Sequence, residues 1–464
     1  MTSGARANES TRARVTAAGI AVGLSLATSA ANAQNSTEHL PSVAREDALP
    51  EFSVCTPRSF RRASETGAYA VDYHRRRIEP AGLPLITSSP DVGFEFGAVG
   101  FMSYFANGCR PYFWNQALTA SMAIKTNSTG VDISQYNVRW QMDLVGLFRG
   151  RLRLNPAVFV DRAVAIPYFG LGNGERATVP DTFVGERARF NQFASTDVWA
   201  FLAARFLVKR PFSIGLSVAY QFADTSAYSG SLLEREAALR DRNGQPVLRG
   251  LGPLHMWRTA ALFVIDTRDN EVMPRRGWGF GLWGSFNRGF PLSSGVAYAT
   301  AGMSVSSYVP VVGPLIFAWR AVADLQFGNA PFFDLARGAT PYPIDMPGGA
   351  GAVRGVPAGR YLGPIKFFGN AELRAFFFSF TVLQQRFTIG AEAFFDAGRV
   401  FSDYTFTNPI DGPAPGIKWG TGLGALFRWG QAAVFRVELA YSPEQLLLNP
   451  SFPFALYIVD DVAF

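Results

Sequence analysis

Side chains that could act as general acids, bases or metal ligands are scarce in this chain. Of its three histidines only His255 lies beyond residue 82, and neither a Gly-x-Ser-x-Gly segment nor a paired acid accompanies it. Catalysis by a base or a nucleophile needs a base positioned beside its partner. Two cysteines and three scattered histidines also lack the spacing of a metal site. We therefore expect no enzyme activity, no cofactor and no metal, and we interpret His255 as a rim residue near Trp257.

Two short segments combine charged side chains with glycine and proline. The first is Asp266-Thr267-Arg268-Asp269-Asn270, followed by Pro274 and by Arg276-Gly277. The second is Val353-Arg354-Gly355, inside a long loop that is rich in glycine and proline. Guanidinium groups of this kind offer charge pairing with carboxylates, because an arginine presents a planar fork of N–H donors.

The elements that must position these segments are strands with one apolar and one polar face. In 433–441, for example, Val437 and Leu439 share one face while Arg436 and Glu438 share the other. Such alternation over about ten residues is typical of a barrel strand whose outer face meets lipid. A soluble sandwich has the same period, but 14% aromatic residues, 46 glycines and only 17% charged residues favour a membrane barrel. We predict an all-β fold, a transmembrane antiparallel β-barrel of about 16 strands.

The lengths of the connections give this barrel a direction. Connections are short after several even-numbered strands, as at 149–150 and 209–210, and long after odd-numbered ones, as at 164–189 and 329–365. Outer-membrane barrels have short periplasmic turns and long extracellular loops. With a short first strand at 82–88, both termini lie in the periplasm and the barrel lies in the bacterial outer membrane.

One long connection, 225–253, contains an amphipathic run at 232–240. We predict a short extracellular helix there, because its apolar residues recur with helical spacing. Capping of the barrel is the favoured role for this helix, and contact with a partner is the alternative.

The two ends of the chain indicate export and assembly. A basic start, an apolar stretch and Ala31-Asn32-Ala33 predict a cleaved signal peptide over 1–33. A membrane anchor helix is the alternative, but the stretch is too short and too rich in small residues. Residues 34–80 then form a short periplasmic segment and 81–464 the barrel, which ends on Phe464 as a C-terminal assembly signal.

The chain has two cysteines, Cys55 and Cys109. The predicted topology places both on the periplasmic side of the membrane, where an oxidising compartment allows a disulfide between them. Such a bond would join the N-terminal segment to the base of the barrel. Two independent thiols are the alternative.

Four segments in one order resemble the BamA/TamA superfamily of outer-membrane barrels, also called the bacterial surface antigen family. The run from Asp266 to Gly277 is similar to the family's turn between strands 8 and 9. Phe169-Gly170-Leu171-Gly172-Asn173 is similar to its Tyr/Phe-Gly-hydrophobic-Gly-Asn segment, and 83–97 to its short first hairpin. Val353-Arg354-Gly355 is similar to the motif of the loop between strands 11 and 12.

The resemblance implies a position for that loop. In the family it folds into the lumen, where its arginine pairs with acids on strands 12 and 13. The resemblance therefore implies that Arg354 pairs with Asp396, and next with Glu372 or Glu392, because an unpaired charge in a confined lumen is costly. Strand alternation turns all three carboxylates inward. A plain ladder of lumen charges, as in any porin, is the alternative.

Two departures from the family pattern bear on function. Val356 stands where the family has an aromatic residue directly after Arg-Gly, and Tyr361 is the nearest substitute. Residues 34–80 are too short for the family's periplasmic client-binding modules, so we expect a barrel-only member.

Insertion of outer-membrane proteins or translocation of polypeptides is the function that the resemblance implies. An exposed first strand can template a client strand by strand addition. The expected partners are outer-membrane lipid and either unfolded outer-membrane protein clients or a separate periplasmic protein. A passive pore or a structural barrel that has lost transport is the alternative, favoured by the missing modules. The net charge of +7 has no basic run with interleaved aromatics, so nucleic acid is not expected.

Overall fold

Sixteen β-strands form one antiparallel sheet in which each strand pairs with the next along the chain. The computed structural model describes residues 55, 73–89, 93–127, 130–174, 179, 187–338, 344–382, 385–448 and 452–459. The first eight strands are β1 Arg77–Ser89, β2 Gly93–Phe105, β3 Trp114–Asn127, β4 Gly130–Leu147, β5 Leu152–Pro167, β6 Gln192–Lys209, β7 Phe212–Ala227 and β8 Gly252–Asp266. The others are β9 Gly277–Phe290, β10 Ala297–Val312, β11 Leu315–Asn329, β12 Ile365–Val382, β13 Gln385–Phe401, β14 Lys418–Trp429, β15 Ala433–Tyr441 and β16 Phe454–Val459. The predicted all-β antiparallel barrel of about 16 strands is confirmed.

The two faces of the sheet differ in polarity because successive side chains of a strand point to opposite sides. On β12, Phe367 and Leu373 are 41% and 44% exposed on the outer face, whereas Asn370 and Glu372 are buried on the lumen face. An apolar outer face around a polar interior is the pattern of a barrel in lipid. Among the described residues, no helix is long and apolar enough to cross a membrane.

The long and short connections lie at opposite ends of the barrel. Those after β5, β7, β11 and β13 are long, whereas those after β4, β6 and β10 are short. In the described part of the chain, two α-helices lie at the long-loop end: α1 at Leu232–Ala237 and α2 at Pro443–Leu448. Helix α1 is three residues shorter than predicted, and α2, which the strand pattern did not predict, starts at a proline, a residue suited to a first helical turn.

The long loops bury an apolar cluster at their end of the barrel. Leu233 of α1 is fully buried in this cluster together with Tyr168, Phe332 and Phe333. The rings of Phe332 and Tyr168 pack edge to face, with centroids 5.8 Å apart. Helix α1 therefore contacts the loops that cover this mouth, which is the arrangement expected of a capping helix.

The first strand is longer than the sequence predicted. It begins at Arg77 and has 13 residues, whereas the sequence pattern predicted a strand at 82–88 and placed 77–80 in the preceding segment. Pro80 and Pro84 both lie within β1, and the arginines before them suggested a polar loop. Because β1 is an edge strand of the sheet, it tolerates prolines that lack an N–H donor.

The two ends of the sheet meet face to face. Phe101, on the lumen face of β2, packs against Phe435, which shares the outer face of β15 with Val437; the ring centroids are 5.8 Å apart. Leu83 of β1 and Val99 of β2 pack in the same cluster as Phe435. The C-terminal end of the sheet therefore lies inside its N-terminal end, with β1 and β16 as the outermost strands of the hydrogen-bonded order.

Candidate functional site

The loop 330–364, which joins β11 to β12, folds into the barrel lumen. Val353, Val356 and Tyr361 of this loop are fully buried, and they pack in one cluster with Trp283 and Phe368 of the barrel wall. Val356, which stands at the family's aromatic position, and Tyr361 thus contribute to the same apolar cluster. The inward fold of the loop that the resemblance implied is present.

A glycine of the wall lets the loop backbone approach closely. A side chain at Gly420 of β14 would place its Cβ 1.8 Å from the carbonyl oxygen of Arg354. The loop and strand could not then keep this spacing, since no pair of non-bonded heavy atoms tolerates such a distance. Gly420 therefore sets how deeply Arg354 enters the lumen.

The guanidinium group of Arg354 is fully buried among three carboxylates. Its Nε and Nη2 donate to the two carboxylate oxygens of Asp396 at 2.7 and 2.9 Å, which is the bidentate geometry that arginine favours. Nη2 also lies 2.7 Å from Glu372, and Nη1 donates to Glu438 at 2.5 Å. One loop residue therefore joins strands β12, β13 and β15.

Two further contacts fix the loop beside this arginine. The guanidinium carbon of Arg354 lies 3.6 Å from the ring centroid of Phe394, which is a cation–π contact. The backbone N–H of Gly355 donates to the Tyr457 hydroxyl at 2.9 Å. Because Tyr457 belongs to β16, the loop also contacts the last strand of the sheet.

Two polar side chains of strands β11 and β12 bind the loop backbone that precedes Arg354. Asn370 donates to Asp396 at 2.8 Å and to the Ala352 carbonyl at 2.6 Å. Arg320 of β11 donates to the Gly351 carbonyl at 2.7 Å and to Asn370 at 2.8 Å. The arginine is thus positioned through its backbone as well as through its side chain.

Glu392 lies in the next layer of charges and does not contact Arg354 directly. Its carboxylate is 3.9 Å from Arg374 and 4.0 Å from Arg436. Arg374 in turn contacts Glu372 at 2.5 Å, and Arg436 contacts Glu438 at 2.5 Å. We call these residues the lumen charge network; it has four cations and four carboxylates, namely Arg320, Arg354, Arg374, Arg436, Glu372, Glu392, Asp396 and Glu438.

Sequence reasoning missed Glu438 as a partner of Arg354. The alternation in 433–441 already showed that Arg436 and Glu438 share a face. Nothing in that segment shows that a loop 84 residues earlier in the chain reaches it. The position of Glu438 on the lumen face of its strand was a sign that it could contact the loop. The resemblance did not connect this strand with the loop.

A comparison with known families assigns this architecture. The model of the Omp85 superfamily domain matches residues 189–444, more than half of the chain. The chain belongs to the Omp85 superfamily. The matched region contains β6 to β15, and with them Arg354 and its three carboxylates. The family resemblance that the sequence motifs indicated is confirmed.

Solved structures with a similar chain path include those of BamA and CdiB. BamA from Haemophilus ducreyi lacking POTRA domains 1–3 is 13% identical, with a TM-score of 0.47, and the match covers 83% of this chain and 70% of that one. CdiB from Escherichia coli is also 13% identical with a TM-score of 0.47; the match covers 82% of this chain and 61% of that one, less than two thirds of its length. No curated protein sequence matches the chain.

In this Omp85 chain the turn between β8 and β9 is closed by contacts of Thr267 with the first residues of β9. Thr267 Oγ1 accepts from the N–H of Trp278 at 2.8 Å. Gly277 has a φ of +111°, and a Cβ there would lie 2.5 Å from the Thr267 carbonyl oxygen. Thr267 and Gly277 therefore lie next to each other and form the two sides of the turn.

The acidic and amide side chains of the motif stabilise the turn between them. Asp269 accepts from the N–H of Arg275 at 2.9 Å, and Asn270 accepts from the N–H of Val272 at 2.8 Å. Short polar side chains form such contacts with nearby backbone in turns. Asp266 and Arg268 pair with each other at 2.8 Å. The motif is thus a structural turn, in which Asp266 and Arg268 pair with each other and Asp269 accepts backbone N–H groups.

Glu271, in the middle of this turn, contacts the barrel wall. It lies 2.5 Å from Arg153 and 3.9 Å from Arg205, which face each other directly across β5 and β6. Like charges in opposed positions destabilise a sheet, so Glu271 compensates a repulsion. Burial alone would raise the pKa of Glu271, but Arg153 and Arg205 outweigh it and lower this pKa from 4.5 to about 2.

Replacing Glu271 by glutamine should lower the free energy of unfolding by about 1 kcal/mol at neutral pH. Because the pKa is depressed in the folded state, the glutamate contributes fully above pH 4.5 and loses its contribution as the pH falls towards about 2. Urea unfolding of both proteins, followed by tryptophan fluorescence, should show a difference at neutral pH that shrinks at about pH 3. An equal difference at the two pH values would contradict this role.

The segment Phe169–Asn173 contacts two other loops at the long-loop end of the barrel. The N–H of Gly172 donates to the Leu362 carbonyl at 2.7 Å, and Asn173 donates through its side chain to the Gly416 carbonyl at 2.7 Å. Asn173 also donates from its backbone N–H to Asp411 at 3.3 Å. This motif therefore joins the arginine loop to the connection between β13 and β14.

Cys55 and Cys109 are joined by a disulfide. Cys109 lies in the turn between β2 and β3, and the N–H of Cys55 donates to the carbonyl of Arg149 in the turn after β4 at 3.3 Å. Residue 55 is thus fixed against two of the short-turn connections. The predicted signal peptide over 1–33, most of the segment 34–80 and Phe464 lie outside the described residues.

Proposed function

We propose that this Omp85 chain resides in the bacterial outer membrane and inserts outer-membrane proteins or translocates polypeptides, without enzyme activity. The contact of the two sheet ends carries this proposal. β15 lies with its outer face against the lumen face of β2, so the ends of the sheet overlap through side chains. The strands at the two edges, β1 and β16, can then separate and offer backbone N–H and C=O groups to a client strand.

The lumen charge network supports this proposal because it controls the C-terminal side of the overlap. Arg354 contacts Glu438 of β15, and Gly355 contacts Tyr457 of β16. The arginine loop therefore sets the position of the two strands that must move when the overlap opens. A purely passive pore has no need of a loop that joins four strands across its lumen.

A reversible lock across the overlap tests the function. The double substitution Phe101→Cys and Phe435→Cys, in a chain with Cys55→Ser and Cys109→Ser, places two thiols on either side of the space that the aromatic rings now fill. A bifunctional methanethiosulfonate reagent joins the two thiols through disulfides that a reductant cleaves. We expect the reduced protein in liposomes to speed the insertion of a small urea-unfolded outer-membrane protein several-fold. Cross-linking should abolish this acceleration and reduction should restore it.

A matched control separates the lock from a general effect of the thiols. The single variants Phe101→Cys and Phe435→Cys, in the same background, should keep the same insertion rate after treatment with the reagent or with the reductant. If no variant, cross-linked or reduced, raises the insertion rate above that of empty liposomes, the chain is a passive or structural barrel and the proposed function is wrong.

A further inference from the structure

An arginine lies on the outer, lipid-facing side of the barrel wall. Arg288 of β9 shares this face with Phe286 and Phe290, which are 58% and 39% exposed, because the side chains of a strand alternate. Asn287 and Gly289, the residues between them, face the lumen and are buried. The guanidinium group of Arg288 therefore extends away from the lumen, towards the membrane.

No acidic side chain of the protein compensates the charge of this arginine. Neither a hydrogen bond nor an ion pair joins Arg288 to any described residue. Strands β9 and β10 contain no acidic residue, and Asp266, the acid of β8, pairs with Arg268 at the other end of its strand. On the outer face of β7, Asp224 lies opposite Pro253, about 13 Å along the sheet from the row of Arg288. A charge on an apolar wall is costly unless an anion or water reaches it.

The position of Arg288 along β9 is the edge of the apolar band. Trp278, ten residues earlier on the same outer face, is 53% exposed, and Leu282 between them is 48% exposed. Ten residues of a strand tilted by about 40° rise about 25 Å along the barrel axis, which is the height of the apolar band of an outer-membrane barrel. Arg288 therefore lies at the level of the lipid headgroups, at the long-loop end.

Aromatic side chains with polar tips surround the arginine on this face. Trp257 of β8 lies directly opposite Arg288 and is 55% exposed. Tyr220 of β7 lies opposite Trp257, with ring centroids 5.7 Å apart. Tryptophan and tyrosine are typical of the headgroup level, where one end of the ring meets lipid and the other meets water. We call Tyr220, His255, Trp257 and Arg288 the outer-face patch.

His255 offers the patch a second hydrogen-bond donor. Its Nδ1 lies 2.6 Å from the hydroxyl group of Tyr220. When this hydroxyl group donates to Nδ1, a neutral imidazole carries its hydrogen on Nε2 and can donate to an anion. His255 is exposed and lies opposite Phe290, so it is the diagonal neighbour of Arg288, about 7–8 Å away. Both side chains can therefore reach oxygens of one phosphate group.

We propose that the outer-face patch binds the phosphate group of a membrane lipid, in the leaflet at the long-loop end. A guanidinium group binds phosphate through two parallel N–H donors, and lipid phosphate is the anion found at this level of a bilayer. Strands β8 and β9 are the two middle strands of the sheet, so the patch does not contact its overlapping ends. The inference depends on the proposed membrane location but not on the insertion of clients.

Native mass spectrometry of the refolded full chain in detergent tests this inference, with dioleoyl phosphatidic acid as the added lipid. We expect a saturable population of barrels that retain one lipid molecule. Dioleoylglycerol has the same chains without phosphate, and glycerol phosphate has the phosphate without chains; neither should be retained at the same concentration. Equal retention of dioleoylglycerol would show contact with the chains alone, and equal retention of glycerol phosphate would show a site for small anions. Either result would overturn the inference.

Variants of the patch show which side chains hold the phosphate. Arg288→Gln should lower the affinity for phosphatidic acid about fivefold, the effect of one arginine at an anionic membrane surface. Arg288→Lys should fall between this variant and the wild type, because it keeps the charge but loses the paired donors. His255→Ala should lower the affinity about threefold, since one hydrogen bond is lost. An unchanged affinity in Arg288→Gln would overturn the inference, and one in His255→Ala would overturn the part assigned to the histidine.

The matched control is another arginine on the outer face of the wall. Arg162 of β5 is exposed on the same face as Val158, and its cross-strand neighbours are Tyr136 and Thr196 rather than a tryptophan and a histidine. Arg162→Gln should leave the affinity unchanged, and a loss equal to that of Arg288→Gln would show general attraction to a basic wall and overturn the inference. The heat-dependent shift of each barrel on electrophoresis shows that the variants fold.

Lipid retention is measured without a client, so its result is separate from that of the insertion experiment. A chain that inserts clients but retains no phosphatidic acid contradicts this inference alone. A chain that retains the lipid but does not insert clients contradicts the proposed function alone.

Discussion

Replacing Arg354 by alanine should lower the free energy of unfolding of the barrel by about 3–5 kcal/mol, because removal of one partner leaves buried charges uncompensated. Asp396, Glu372 and Glu438 all lie within 2.9 Å of this guanidinium group, and none of the three is more than 1% exposed. Urea unfolding of the refolded protein in detergent, followed by tryptophan fluorescence, measures the change.

Two control variants show which property of the arginine matters. Arg354→Lys keeps one positive charge but loses the bidentate contact with Asp396, so it should fall between the wild type and the alanine variant. Arg242→Ala, on an exposed loop, should change the free energy by no more than about 0.5 kcal/mol. A loss below about 1 kcal/mol for Arg354→Ala would mean that water or other cations replace the guanidinium group. Such a result would contradict a structural role for this buried arginine.

The lumen charge network has four cations and four carboxylates, so a change at one of them also affects the residues that contact it. Arg354→Ala combined with Asp396→Ala should cost less than the sum of the two single changes, because the residues contact each other directly. Comparing the double variant with the two single variants therefore distinguishes a specific contact between Arg354 and Asp396 from a general loss of lumen polarity.

The parts of the fold that depend on local pattern could be predicted from the sequence. Alternation along 366–380 and 388–401 is a property of each strand alone, so it placed Glu372, Glu392 and Asp396 on the lumen face before any pairing was known. The structure places these carboxylates there, each at most 3% exposed. The strand number followed in the same way, strand by strand.

The parts that depend on contacts between distant segments could not be predicted from pattern. Glu438 reaches Arg354 only because the loop backbone approaches β14 at Gly420, and no periodicity encodes that approach. The choice between Glu372 and Glu392 had the same origin, since both face the lumen, on the neighbouring strands β12 and β13, and Glu392 lies opposite Arg374 rather than beside Arg354. Resemblance to a family supplied the loop and its direction, but not the full set of partners.

The ends of the sheet were the least predictable feature. The first part of β1 was not predicted, because its prolines and arginines are typical of a loop. An edge strand tolerates such residues, whereas a central strand excludes them. The overlap of β15 with β2 depends on the curvature of the whole sheet. The residue pattern of a single strand does not encode this curvature. Outer-face apolar residues such as Phe435 therefore looked lipid-facing, whereas the structure buries this ring against Phe101.

Deleting residues 346–361 and joining the ends by a Gly-Ser linker should raise the single-channel conductance of the barrel several-fold. A 16-stranded barrel encloses an aqueous channel unless something fills it. Here Val353, Val356 and Tyr361 pack against the wall, and Arg354 contacts three strands across the lumen. The wild type in planar bilayers should therefore give a small and flickering current, and the deletion variant a large and steady one.

The matched control replaces 240–246, an exposed loop tip at the same end of the barrel, by the same linker. Its current should equal that of the wild type, because these residues do not enter the lumen. Large, steady currents in all three proteins would mean that the loop leaves the channel open, and that the family resemblance describes ancestry rather than mechanism. Small currents in all three would place the obstruction elsewhere, since the lumen would then stay blocked without the loop that fills it in this structure.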